Sequence, residues 1–214
     1  MLDAPTYAKA KRASVTRSAD VNTYTVGSYL AETRGIDLSR LPPTIDEVLR
    51  FHRHCPFGTG AHPCLLALMR DPETDAPVGI HRIALAQENG AVTKIGRRAL
   101  GGMGVVKLWP VNGDRLAVGE GLETVLAAAT RLSFEGLPLT PAWAAIHTNG
   151  VASLPVVDGV ARLIQLIDND ENNAGQCAAE ASRQRWSDQG RTVVPLMPPK
   201  PGWDWNDIVL GRRA

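Results

Sequence analysis

The stretch Leu116-Ala117-Val118-Gly119-Glu120-Gly121, followed directly by Leu122 to Arg131 (LETVLAAATR), decides how this chain folds. A short apolar run closed by Glu-Gly reads as a buried strand ending in a turn. The Ala- and Leu-rich run behind it reads as a helix. Working outward, Trp143 to Ile146 is a second strand-like run, and Ala161 to Ile167 (ARLIQLI) is a third. The third runs into the polar loop DNDENNAG (168–175) and a long helix from about Gln176 to Asp188, stopped by Gly190. Thr192 to Leu196 is the fourth. Strands alternating with helices across short loops imply an α/β fold, with a four-stranded, mainly parallel sheet flanked by helices. Functional residues in such a sheet belong at the carboxyl ends of its strands. Glu120, Asp168 and Asp170 all fall there.

Towards the N-terminus the rhythm differs. Leu65 to Met69, Pro77 to Ala84, Ala91 to Ile95 and Val105 to Trp109 are short strand-like runs separated by Asp-Pro, Asn-Gly and Gly-Gly punctuation. Arg70 to Ala76 and Gln87 to Gly90 read as hairpin turns. A helix is expected up to Arg34, ended by Gly35, with one more helical turn over Ile45 to Arg50. Residues 21–112 thus read as a small α+β lobe. Residues 1–20, with Lys9, Lys11, Arg12 and Arg17 and few large apolar side chains, read as a flexible basic tail or linker remnant.

The 214 residues carry a net charge of +1, distributed unevenly. Residues 1–110 hold 14 Lys and Arg against 10 Asp and Glu, and residues 111–214 hold 9 against 12. A basic half beside an acidic half suits a protein that holds a polyanion on one side and cations on the other. No run approaches the roughly 18 apolar residues of a membrane span, and the polar start MLDAPTYAKAKRAS has no secretory apolar core. Three cysteines, Cys55, Cys64 and Cys177, do not make a disulfide framework. The expected location is the reducing cytoplasm.

Asp168 and Asp170 lie two apart, on the same side of an extended segment. With Glu120 they place three carboxylates at one sheet edge, where they repel one another unless a cation intervenes. Oxygen-only ligands suit Mg²⁺ or Mn²⁺, ions that bind phosphates and stabilise phosphoryl or nucleotidyl transfer. The competing reading is that Asp168 and Asp170 only cap the following helix. A calcium loop is excluded, since its sixth position is Asn173 rather than Gly and its twelfth Ala179 rather than Glu.

GEGLET (119–124) after a strand, DNDENNAG after a later one, and PGWDWNDIV (201–209) together resemble a Toprim domain, here spanning 113–214. More narrowly, they are similar to the Toprim primases of phages, plasmids and integrative elements, relatives of the bacterial replicative primase. SYLAETRGIDL, RFHRHCPF and PVGIHRIAL resemble the region that precedes Toprim in those proteins. The resemblance implies a metal-dependent nucleotidyltransferase making short primers on single-stranded DNA, for replication of a mobile element. It implies Glu120 as acid/base or metal ligand at the reacting phosphate, and Asp168 and Asp170 as metal ligands. Asp204 and Asp207 match a downstream acidic patch more loosely. Two departures bear on the metal sites: Thr124 stands where replicative primases carry an Asp, with Glu123 as an extra acid, and the D-x-D loop is two residues longer.

Lys94, Arg97, Arg98 and Lys107 form a basic stretch interrupted by Gly101-Gly102-Met103-Gly104. It resembles the strand-and-loop region that contacts template and nucleotide in replicative primases, with Arg82 as a further candidate. The plain alternative is a solvated hairpin face. Cys55 and Cys64, with His52, His54 and His62 close by, supply only one pair where a primase zinc module has two knuckles, so a packed strand end is expected over zinc. Cys177 reads as a small core residue, and His147 as a hydrogen-bonded core or loop histidine. Trp186, Trp203 and Trp205 are candidates for base stacking. No G-x-x-x-x-G-K-[ST] motif occurs, so the chain has no motor of its own. A helicase or zinc-module partner is expected. A DNA-cleaving Toprim nuclease and a non-catalytic nucleic-acid adaptor remain open.

Overall fold

The computed structural model describes residues 26–211, so the expected basic tail lies outside the described residues. Two sheets carry the fold. The first is antiparallel, with strands β1 (Leu49–Phe57), β2 (Gly60–Arg70), β3 (Pro77–Glu88) and β4 (Ala91–Gly101) in that spatial order. Tight turns carrying left-handed residues connect its strands, Asp75 in one and Asn89-Gly90 in another. A single π-turn over Tyr29–Thr33 and a short helix α1 (Ile45–Val48) lead into it.

The second sheet has five strands, in the spatial order β11 (Thr192–Leu196), β10 (Arg162–Leu166), β6 (Arg115–Gly119), β9 (Ala142–Ala144) and β5 (Val106–Lys107). Strands β6, β9, β10 and β11 are parallel. The fifth, β5, pairs antiparallel with β9. Its two residues lie N-terminal to the expected boundary yet join the C-terminal sheet. Ahead of them, Arg70 and Val105 exchange backbone hydrogen bonds of 2.8 and 2.9 Å, linking the end of β2 to the start of β5. A small hairpin, β7 (Ser133–Phe134) and β8 (Leu137–Pro138), sits between β6 and β9 in sequence.

Helix α2 (Leu122–Arg131) packs between the two sheets and is buried from Leu122 to Thr130. Its small alanines permit that close packing, and Arg131 in the last turn complements the helix dipole. Helices α3 (Thr148–Ala152) and α4 (Ala174–Asp188) follow β9 and β10, and α5 (Trp205–Val209) packs against α2. The main core joins Leu49, Leu65 and Ile83 of the first sheet to Ala117, Ile164 and α2. Burying a Leu or Ile side chain stabilises by about 1.5–3 kcal/mol, so this shared core binds the two sheets together.

Several sequence expectations change. Leu49 to Phe57 is a full strand; the helical turn before it is confined to Ile45–Val48. Cys177 is exposed on α4 rather than buried, and the core positions of that helix are Ala178, Ala179, Ser182 and Trp186. Trp186 is fully buried and donates Nε1–H to the Leu154 carbonyl at 3.3 Å, so it cannot stack on a base. Trp205 is also in the core, while Trp203 is half-buried under the Lys200 ammonium. Among the described residues no helix is long and apolar enough to cross a membrane.

Candidate metal and nucleotide cleft

The site grows from the carboxyl end of β6. A Cβ on Gly119 would lie 2.8 Å from Val125 Cγ2 and 3.0 Å from the Leu166 carbonyl oxygen, so only glycine lets β6 end so close to α2 and β10. Beyond it, the Glu120 carbonyl accepts the Ile146 N–H at 2.9 Å, locking the turn to the end of β9. Ile146 takes a left-handed φ of 69°, an unfavourable conformation for a β-branched residue. On the Glu120 side chain, Oε2 accepts a hydrogen bond from Thr148 Oγ1 at 3.0 Å.

Asp168 and Asp170 leave the end of β10. Helix α4 begins after Asn173, which makes no side-chain capping bond, so neither aspartate serves as its N-cap. The helix-cap alternative therefore does not describe them. Instead, Asp168 Oδ1 is buried without a hydrogen-bond partner. Burial, then the charges of Asp204, Asp170 and Glu120, push its pKa up to about 7, against a smaller opposing pull from Arg97. The backbone of Asn169 is pinned to the C-terminal segment, donating to the Trp203 carbonyl at 3.0 Å and accepting from Gly202 at 2.6 Å. This pinning brings Asp204 to the same place. Asp204 and Asp207 form a reciprocal capping box at the start of α5, with bonds of 2.9 and 3.1 Å.

Glu120, Asp168, Asp170 and Asp204 line one cleft of about 370 Å³, faced by Arg34, Lys94 and Arg97. Among the described residues, no three His, Cys, Asp or Glu side chains are gathered tightly enough to hold a metal as they stand. The donor set nonetheless fits a hard divalent cation. It consists of carboxylate oxygens, one of them buried and unpaired, and their mutual repulsion is what a cation would relieve.

Glu123, the extra acid noted in the sequence, lines the same cleft but is paired with cations. It is almost fully buried, and its Oε1 receives Tyr29 OH at 2.8 Å, Lys94 Nζ at 2.9 Å and Arg34 Nη2 at 3.4 Å. Burial raises its pKa, but the Lys94 and Arg34 charges and the hydrogen bonds from Lys94 and Tyr29 prevail and hold it at about 2. Asn206 Nδ2 donates to the Arg34 carbonyl at 2.9 Å, tying α5 to the same cluster. Arg34 and Tyr29 carried no sequence signal, because they meet Glu123 across 89 and 94 residues.

The remaining cations disperse. Lys107 pairs with Asp75 at 2.9 Å and lies 4.6 Å from the Trp143 ring centroid, in a separate 400 Å³ cavity at the β5 edge. Arg82 and Arg98 stand opposite each other on β3 and β4 and both lie over the Phe57 ring. Cys55 and Cys64 are buried in a small cluster with Leu66 and Ala84. The neighbouring Cys64 thiol and the Arg82 charge lower the Cys55 pKa despite burial, and Cys55 Sγ donates to the Pro56 carbonyl at 3.6 Å. His147 Nδ1 accepts the Gly150 N–H at 2.7 Å, capping α3.

The sequence of residues 115–213 matches the Toprim domain family. The C-terminal half is a Toprim domain. Residues 6–107 match a domain of unknown function, DUF7146. No curated protein sequence matches the chain. Among solved structures, the primase fragment of the bacteriophage T7 primase-helicase is similar at 18% identity, over 84% of this chain and 68% of that one, with a TM-score of 0.55. A DNA primase domain from Pseudomonas aeruginosa aligns at 16% identity, over 92% of this chain and 70% of that one, with a TM-score of 0.46. The architecture, an antiparallel lobe followed by a Toprim domain, shares its fold with that T7 fragment.

Proposed function

We propose that the chain is the catalytic core of a metal-dependent primase that joins nucleotides on single-stranded DNA. The observation that carries this reading is the buried, unpaired Asp168 Oδ1, set among Asp170, Asp204 and Glu120 and facing Arg97 and Lys94 across one cleft. Mg²⁺ or Mn²⁺ held by Asp168, Asp170 and Glu120 would stabilise the charge that develops on the reacting phosphate. The protein's own groups do the rest. In the reaction a 3′-hydroxyl oxygen forms a bond to the α-phosphorus of a nucleoside triphosphate, while the α–β bridging bond breaks and pyrophosphate leaves. Glu120, oriented by Thr148, accepts the hydroxyl proton. Arg97 and Lys94 face the phosphates from β4, and Glu123 holds Lys94 in place. Asp204 adds charge to the acidic wall while starting α5.

The fold relative is part of a primase-helicase, which supports a helicase as the partner of this chain as well. The test is primer synthesis on single-stranded DNA with Mn²⁺ and labelled nucleotides. Asp168→Asn should lower the rate by about 10²–10³-fold, the scale of removing one preorganised electrostatic group, with the circular dichroism spectrum retained. Full activity in that variant refutes the assignment. Shortening of the DNA in place of extension converts the reading to a nuclease with the same acids.

A further inference from the structure

The first sheet has two faces, and only one of them looks into the cleft. Arg97 lines the cleft, while its neighbour Arg98 projects from the other side of β4, as alternation along a strand requires. There Arg98 stands beside its cross-strand partner Arg82. The two guanidinium carbons lie 5.4 and 5.9 Å from the Phe57 ring centroid, and His62 packs edge-on against the same ring at 6.2 Å. Arg82 is anchored by hydrogen bonds to the Pro56 and Ala99 carbonyls, at 2.6 and 3.3 Å. Neither Arg82 nor Arg98 has a carboxylate partner among the described ion pairs. Across β1 to β4 there are seven Lys and Arg against one acid, Glu88 at the end of β3. Arg70 and Lys94 pair with Asp75 and Glu123 from outside these strands, whereas the cross-strand pair Arg82 and Arg98 sets like charges side by side, which destabilises a sheet. Leu100, on the same side of β4 as Arg98, is exposed as well.

We infer that this outer face is a second single-stranded DNA contact, over which the strand that occupies the cleft continues after crossing β4. This inference rests on the primase reading for the strand's origin. The surface itself is defined by its own groups. Guanidiniums bind phosphates, and a half-exposed aromatic ring flanked by cations suits an unstacked base. The adjacency of Arg97 and Arg98 in sequence puts the two contacts on opposite sides of one strand, so a polymer reaches both while a mononucleotide reaches one. An acidic protein segment would match the charge but would have no reason to follow the strand out of the cleft.

The experiment measures oligo-dT binding by fluorescence anisotropy in EDTA, so no catalytic step is involved. Two lengths are compared: about 6 nucleotides, within a single site, and about 24, beyond one. Arg98→Ala should weaken the longer oligonucleotide by about fivefold and lower the slope of log affinity against log salt by about 0.7. It should leave the shorter one unchanged. Arg98→Lys should keep the salt slope, and Arg97→Ala should weaken both lengths. Equal weakening of both lengths by Arg98→Ala would place that residue in the cleft and overturn the inference. So would an unchanged affinity and slope for the longer one, or equal competition by polyglutamate at matched charge. If the length-dependent pattern holds but the wild-type chain makes no primers, the outer contact stands and only the primase reading falls.

Discussion

The two sheets of this protein solve opposite electrostatic problems. The antiparallel sheet concentrates cations on strands with a single acid among them, and it spreads them over two faces. The parallel sheet gathers carboxylates at the carboxyl ends of β6 and β10, where backbone geometry fixes their place. The cations are adjustable because each is carried on a long side chain. The carboxylates are short and held by turns, so burial, and after it their mutual repulsion, raises the pKa of Asp168. Glu123 is the exception that joins the two regions: an acid from the parallel half, buried among cations from the other.

That junction gives the largest expected effect on stability. Glu123→Ala removes the buried acid shared by Lys94, which is partly solvated, and Arg34, which is half-buried, and should cost about 1.5–3 kcal/mol in urea denaturation. A cost below about 1 kcal/mol would show that the two regions are held by the apolar core alone. The second effect separates the regions by pH. Asp168 has its folded pKa raised from 3.8 to about 7. The folded state therefore holds the extra proton between those values, and stability from this group falls as pH rises from about 4 to about 7. Glu123, held at about 2 against 4.5, contributes stability above 4.5 that is lost as pH falls towards 2. Melting temperatures in EDTA should show both limbs, and Asp168→Asn should flatten only the upper one. Added Mg²⁺ should reverse that upper limb, because cation binding displaces the proton. The smallest effect belongs to Lys107→Ala. It breaks a pair with the exposed Asp75, should cost under about 1 kcal/mol, and should change primer synthesis little. A large loss of synthesis would mean that the basic stretch acts as a unit after all.

The parallel half was the more legible in sequence, for a physical reason. Its strands are short apolar runs and its helices begin where they end, so α2 and β11 fall on the expected residues and the acids at the expected edge. Strand β1 was harder to see. Leu49, Phe51 and Cys55 are buried, but the Arg and His residues between them and Pro56 obscure the alternation, and a bulge between His52 and Cys55 interrupts it. Helix α5 had a local signal in the Asp204-x-x-Asp207 spacing, which satisfies the first-turn N–H groups. Nothing local marks Arg34 as a wall of the cleft, because its partner is 89 residues away. Side-chain direction also escaped the sequence reading. Lys94, Arg97, Arg98 and Lys107 look like one basic patch in a line of text, and the fold sends them to three places.

The two-residue strand β5 bears on how far the molecule can be divided. Val106 and Lys107 close the β9 edge of the parallel sheet while belonging, in chain order, to the half that precedes it. A fragment starting after them would expose the β9 backbone along an open edge, an invitation to pair with another copy of itself. The preceding half, cut at the same point, would lose the partners of its last strand. Each piece thus lacks backbone partners that the other supplies, and the two halves share one core.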